Sequence, residues 1–118
     1  MDITFINLTP HSITVRDVGG EAVVFPASGV IARVGTYWTE VAAIGNHKSY
    51  EVSYTGIEGL PLNVGDDEMF IVSAMVMEAA KAANHPLLCR LVAPATGHAG
   101  VERNDKGLIQ CVPGFVRA

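Results

Sequence analysis

Met69-Phe70-Ile71-Val72-Ser73-Ala74-Met75-Val76-Met77-Glu78-Ala79-Ala80-Lys81-Ala82-Ala83-Asn84 decides how this chain folds. Met69 to Val72 is a short unbroken apolar run containing the β-branched pair Ile71-Val72, which suits a buried strand. From Ala74 the composition shifts to Ala, Met and Val around Glu78 and Lys81, whose i, i+3 spacing marks a narrow wet stripe. Ser73 stands at the changeover as an N-cap, Asn84 suits the C-terminal cap, and Pro86 bars continuation. The segment therefore predicts a strand followed by a helix over residues 74–83. The competing reading is one helix from Asp66 or Asp67 through Asn84, and Ile71-Val72 weighs against it. The helix is apolar almost all round, so it is expected to be buried.

Upstream, Ile3–Leu8 reads as a short strand ended by Thr9-Pro10-His11. Ser12–Arg16 alternates apolar and polar, the mark of a half-buried strand, and Asp17–Gly20 is a turn into its hairpin partner Glu21–Phe25. Val30–Val34 is a further β-rich run after the break at Pro26–Gly29. Gly35–Lys48 reads as extended structure, with a short helix from Thr39 as the alternative. Ser49–Tyr54 is a clearer strand that puts Tyr50, Val52 and Tyr54 on one face. Gly56–Asp67 is loop-like. Downstream, Leu87–Val92 is a strand and Pro94–Gly100 a loop. Arg103–Gly107 carries turn chemistry leading into a strand over Leu108–Val112. The expected fold is α+β, a mostly antiparallel sheet with one main buried helix, in a single domain spanning 1–118.

The chain is 49% hydrophobic and 17% charged, against about 25% charged in a typical soluble chain. So thinly charged a surface suggests cover by another subunit, and a homo-oligomer is expected. A net charge of −4 with scattered basic residues argues against extended nucleic-acid binding, which depends on clustered Lys and Arg. The start lacks a basic, apolar leader, and the longest apolar run is too short to span a bilayer. The expectation is a soluble, cytoplasmic protein with no membrane partner. Cys89 and Cys111 read as buried free thiols in strands. No zinc-type spacing, P-loop or Rossmann fingerprint occurs, so no metal or cofactor is expected.

Candidate chemistry lies in loops and strand arginines. His11 and His98 each follow a strand end in a segment of Pro, Thr and Gly, where ligand contacts are often placed. Either ring could meet a phosphate or a base; either could equally bond its own loop backbone. Arg33 and Arg103 sit in or beside strands and could hold an anion. They could also pair with a carboxylate. Ser73 and the free N–H groups of the helix start could meet a phosphate, although capping alone accounts for the serine. No nucleophile–base set is fixed by the sequence, so the protein is read as non-catalytic.

Several stretches together resemble a group of small phage and bacterial proteins of no established activity. They are Asn7-Leu8-Thr9-Pro10-His11, Pro26-Ala27-Ser28-Gly29-Val30-Ile31-Ala32-Arg33, Phe70-Ile71-Val72-Ser73, Pro94-Ala95-Thr96-Gly97-His98 and Gly107–Phe115, in that order. The resemblance implies an Arg-x-Asp-like pair ahead of the Pro94 loop, where this chain has Leu88-Cys89-Arg90. Its phage side implies counter-defence: an oligomeric protein that sequesters an anionic small molecule such as a nucleotide signal, in the cytoplasm of a bacterial host. The alternative is a structural or protein-interaction module without a small-molecule ligand.

Overall fold

The computed structural model describes residues 2–118. In chain order the strands are β1 (Thr4–Asn7), β2 (Ile13–Arg16), β3 (Ala22–Phe25), β4 (Thr36–Ile44), β5 (His47–Tyr54) and β6 (Glu68–Ile71). After them come the helix α1 (Ala74–Ala83), then β7 (Leu91–Pro94), β8 (Glu102–Arg103), β9 (Ile109–Cys111) and β10 (Phe115–Arg117). The fold is α+β with one α-helix among the described residues, and strand followed by helix is the correct reading of residues 69–84.

Ser73 caps α1 as expected: its extended backbone (φ −68°, ψ 160°) turns the chain, and its Oγ accepts from the Val76 N–H at 3.2 Å. At the far end Asn84 takes the left-handed conformation (φ 47°). The Asn84 N–H donates to the Lys81 carbonyl and the His85 N–H to the Ala80 carbonyl. That is a Schellman closure with asparagine in the position glycine usually fills.

Four strands form the central sheet in the order β1-β6-β7-β10. β1 pairs parallel with β6, β6 parallel with β7, and β10 antiparallel with β7. The sheet is therefore mixed, with parallel pairing at its heart. Parallel neighbours need a crossover, and α1 supplies it between β6 and β7. The remaining ladders, β2–β3, β4–β5 and β8–β9, are antiparallel hairpins.

Alternation along the strands sends two sets of side chains to opposite faces. Ile6, Leu8, Phe70, Val72, Leu91 and Ala93 face α1 and pack with Val76, Met77 and Ala80 to form the core. The helix is buried on this face alone; Ala74, Met75, Ala82 and Ala83 are exposed, so the expectation of all-round burial is too strong. Alanine is small enough that a wet alanine face costs little, and hydropathy alone overstates the need to cover it. The opposite face carries Phe5, Met69, Ile71 and Val92, in register across β1, β6 and β7. Phe5, Phe25 and Phe115 meet there with ring centroids 5.1–5.8 Å apart. The β2–β3 hairpin covers part of this face. Arg16 on β2 makes a two-pronged ion pair with Glu102 on β8, both contacts at 3.0 Å.

Two local expectations need correction. Residues 88–90 form a short 3-10 turn and not a strand, so Cys89 is exposed while Cys111 is buried. Leu88 and Arg90 bond back to His85 and Leu87, and extended pairing begins only at Leu91. Among the described residues no helix is long and apolar enough to cross a membrane.

Candidate functional site

Because β1, β6 and β7 run parallel, their carboxyl ends open at one edge of the sheet. From that edge emerge the loop over residues 8–12, the two-residue step Val72-Ser73 into α1, and the loop over residues 95–101. In open sheets with parallel strands this edge is the usual place for a ligand. His11, Ser73 and His98, scattered over most of the sequence, all lie on it.

The first loop is held by a buried network that the sequence reading did not single out. Asn7, only 2% exposed, donates through Nδ2 to the carbonyls of His11 (2.8 Å) and Phe25 (2.9 Å). Its Oδ1 accepts from the Thr9 N–H at 2.9 Å and the Thr9 hydroxyl at 2.6 Å. One side chain thus uses both ends of its amide to shape the loop and to tie it to the end of β3. A short polar side chain at a strand end, two residues before a threonine, was the available signal. Histidine 11 takes part through its carbonyl, and its ring is exposed and free of hydrogen bonds among the described residues.

Arg33 reaches the same edge from another direction. The segment after β3 runs alongside the first loop, with the Ser28 N–H on the Asn7 carbonyl and the Ala32 N–H on the Leu8 carbonyl. Arg33 and Glu58 exchange backbone hydrogen bonds, each at 2.8 Å. Beside them Gly59 has φ +89°, and a Cβ there would run into the Ile31 carbonyl. Only glycine lets these two segments approach so closely. The guanidinium of Arg33 has no ion-pair partner among the described residues.

A cleft of about 340 Å³ lies between these parts, lined by Pro10, Ile31, Ala32, Arg33, Val34, Ser73, Met75 and Val76. It joins the His11 loop, the arginine and the start of α1. The Ser73 side chain is spent on the Val76 N–H, but Ala74 and Met75 stand in the first turn and have no acceptor within the helix. On the other side of the helix start is a smaller cleft of about 120 Å³, bounded by Ala74, Met77, Glu78, Pro94, Thr96 and Gly97 among others. His98 lies just past this second cleft, and its Nδ1 accepts the Gly100 N–H at 2.8 Å. Its ring therefore braces its own loop. Arg103 lies apart from both clefts: it donates to the Gly107 carbonyl at 2.8 Å and closes the 104–107 turn.

Arg90, standing where the resemblance implies an Arg-x-Asp-like pair, is a clamp. Its Nη1 donates to the Asp66 carbonyl at 2.7 Å, with the carbonyls of Gly65 and Glu68 at 3.4 and 3.3 Å. It thereby holds the turn that delivers the chain into β6. Among the described residues no cluster of three or more His, Cys, Asp and Glu is placed to hold a metal ion. No family model, no curated protein and no solved structure matches this chain.

Proposed function

We propose that this chain is a non-catalytic, homo-oligomeric binding protein that takes up an anionic small molecule at the carboxyl edge of its parallel strands. The observation that carries this reading is the cleft shared by Arg33, Ser73 and the His11 loop. Arg33 supplies a planar cation with two parallel donors for a carboxylate or phosphate. The first-turn N–H groups of α1 and the positive end of its dipole add to the same field. His11, exposed and next to the cleft-lining Pro10, contributes a donor or a flat face for a base. Ile31, Val34 and Val76 give the cleft the apolar wall that most small-molecule sites have. The resemblance to phage proteins adds the choice of ligand: a nucleotide signal, sequestered as counter-defence in a bacterial host.

The test is incubation of the purified protein with a panel of cyclic and ADP-ribose-type nucleotides, calorimetry, and release of the ligand by heat. At least one member binds and returns chemically unchanged, and Arg33→Ala weakens it at least tenfold. Failure of the whole panel removes the ligand. A ligand that returns altered removes the non-catalytic reading.

A second reading, a structural or protein-interaction module, is favoured by the exposed apolar side chains of the two-stranded arm formed by β4 and β5. Recovery of one stoichiometric host protein from a lysate, with no nucleotide bound, would select it.

A further inference from the structure

β4 and β5 form a long two-stranded arm that makes no extensive contact with any other strand or helix among the described residues. The tip is a tight Gly45-Asn46 turn with Gly45 at φ +59°, and the base is clasped by the Thr55 hydroxyl, which accepts the Gly35 N–H at 2.7 Å. The arm helps raise the radius of gyration to 16.7 Å, against about 13–14 Å for a compact chain of this length. Register puts Thr36 and Tyr54, Trp38 and Val52, and Glu40 and Tyr50 side by side on one face. The other face carries Tyr37, Thr39, Val41, Ser49, Glu51 and Ser53. The arm is thus amphipathic, with an aromatic stripe along one side. Trp38 and Tyr50 meet edge to face with centroids 6.0 Å apart, yet Trp38 remains 68% exposed. An isolated two-stranded hairpin is marginal in water, and among the described residues nothing covers the aromatic face of this one.

The same chain holds the complementary surface. On the sheet face away from α1, two apolar hollows share the walls Phe5 and Phe115. One, of about 430 Å³, runs between them and Val15, Val18, Val23 and Phe25. The other, of about 450 Å³, is bounded by Ile3, Met69, Val92 and Arg117 as well. Arg117 has no ion-pair partner among the described residues, whereas Glu40 lies within the arm's aromatic face, paired loosely with Lys48 at 3.7 Å. The uncovered aromatic ribbon and the aromatic-walled trough are matched in polarity; Asp17 and Arg16 also line the trough, and Arg117 at its edge is, among the described residues, a free cation for Glu40, whose contact with Lys48 is long and exposed.

We infer that the arm of one copy lies in the Phe5–Phe115 trough of a second copy, so that subunits assemble by exchange of β4–β5. This rests on the homo-oligomer in the reading above and not on its ligand; loss of nucleotide binding leaves it standing, and a monomer removes it without touching the cleft. Exchange sets a directional contact, arm to trough, and closes either as a reciprocal dimer or as a ring.

Trp38 is the sole tryptophan, so its emission reports on the contact. The expected result is an oligomer by light scattering at micromolar concentration, with Trp38 emission shifting to the blue as it forms. Two variants separate the halves: Trp38→Ser with Tyr50→Ser on the arm, and Ile3→Arg with Val18→Arg on the exposed rim of the trough. Each alone is monomeric, with an unchanged far-UV circular dichroism spectrum. In the trough variant Trp38 emission stays red at every concentration. Mixed one to one, they form a heterodimer, because each retains the half the other lacks. Tyr54→Arg gives a second arm variant should the double serine variant fail to fold. A monomeric wild-type protein with exposed Trp38 overturns the inference. So does a trough variant that assembles like the wild type, which would mean that arms pack on one another or on a different protein.

Discussion

The helix-covered face of the central sheet and the aromatic face of the β4–β5 arm both carry large apolar side chains and meet opposite fates. In the core, Met77 is 2% exposed and touches the sheet from above; on the arm, Trp38 is the larger side chain and is two-thirds exposed. The difference is one of layers. A sheet with a helix on it buries both partners, while a lone ribbon has no second layer of its own. Hydrophobicity therefore serves folding in one region and stays exposed in the other.

Substitutions should separate the two. Met77→Ala is expected to cost about 3 kcal/mol of unfolding free energy, since it opens a cavity beneath the helix. Trp38→Ala, read in dilute monomeric protein, should stay within about 0.5 kcal/mol, as surface changes do. Urea denaturation followed by circular dichroism measures both, and equal costs would mean that the arm belongs to the core. Asn7→Ala sharpens the contrast from the polar side. It strips the Phe25 carbonyl and the Thr9 N–H of their partner and leaves the His11 carbonyl with the Thr9 hydroxyl alone, for a loss of about 2 kcal/mol. Amide exchange should then speed up over residues 7–12 and remain unchanged on the arm. Ser73→Ala removes the cap and should lower stability by about 1 kcal/mol; because the cleft's cation is Arg33, nucleotide affinity should fall far less than in Arg33→Ala.

The smallest effect belongs to Arg16 and Glu102. Hydrogen bonds from the guanidinium, then its charge, hold the Glu102 carboxyl below its ordinary value of 4.5. A depressed folded-state pKa contributes stability that is present above the unfolded value and lost as pH falls through the folded one. Acid titration of the wild type should show this loss below about pH 4.5, and Glu102→Gln should abolish it. Both groups are exposed, so 1 M salt should mask the difference; an effect that survives salt would make this pair part of the core.

Much of the fold was legible. The Ser73 cap, the Asn84 closure, the hairpin at 12–25 and the strand at 49–54 all rest on interactions a few residues long, and the chain carries them as residue type and spacing. The site was legible in pieces. His11, Arg33, Ser73 and His98 were identifiable as candidates, but His98 turned out to brace its own loop and Arg103 to close a turn. Asn7, the residue that organises the first loop, was passed over because a buried asparagine looks like any other until its acceptors at positions 11 and 25 are in place.

The sequence by itself determined where strand gives way to helix, which residues cap and turn, and which face of each strand is apolar, because those are local consequences of backbone sterics and side-chain period. Only the tertiary structure decided that β1, β6 and β7 lie parallel, that the loop over residues 8–12 and the start of α1 come together beside Arg33, and that β4–β5 projects from the body. Periodicity says that an apolar face exists; which surface covers it depends on pairings between residues some sixty positions apart, or on another molecule, and no local pattern encodes either.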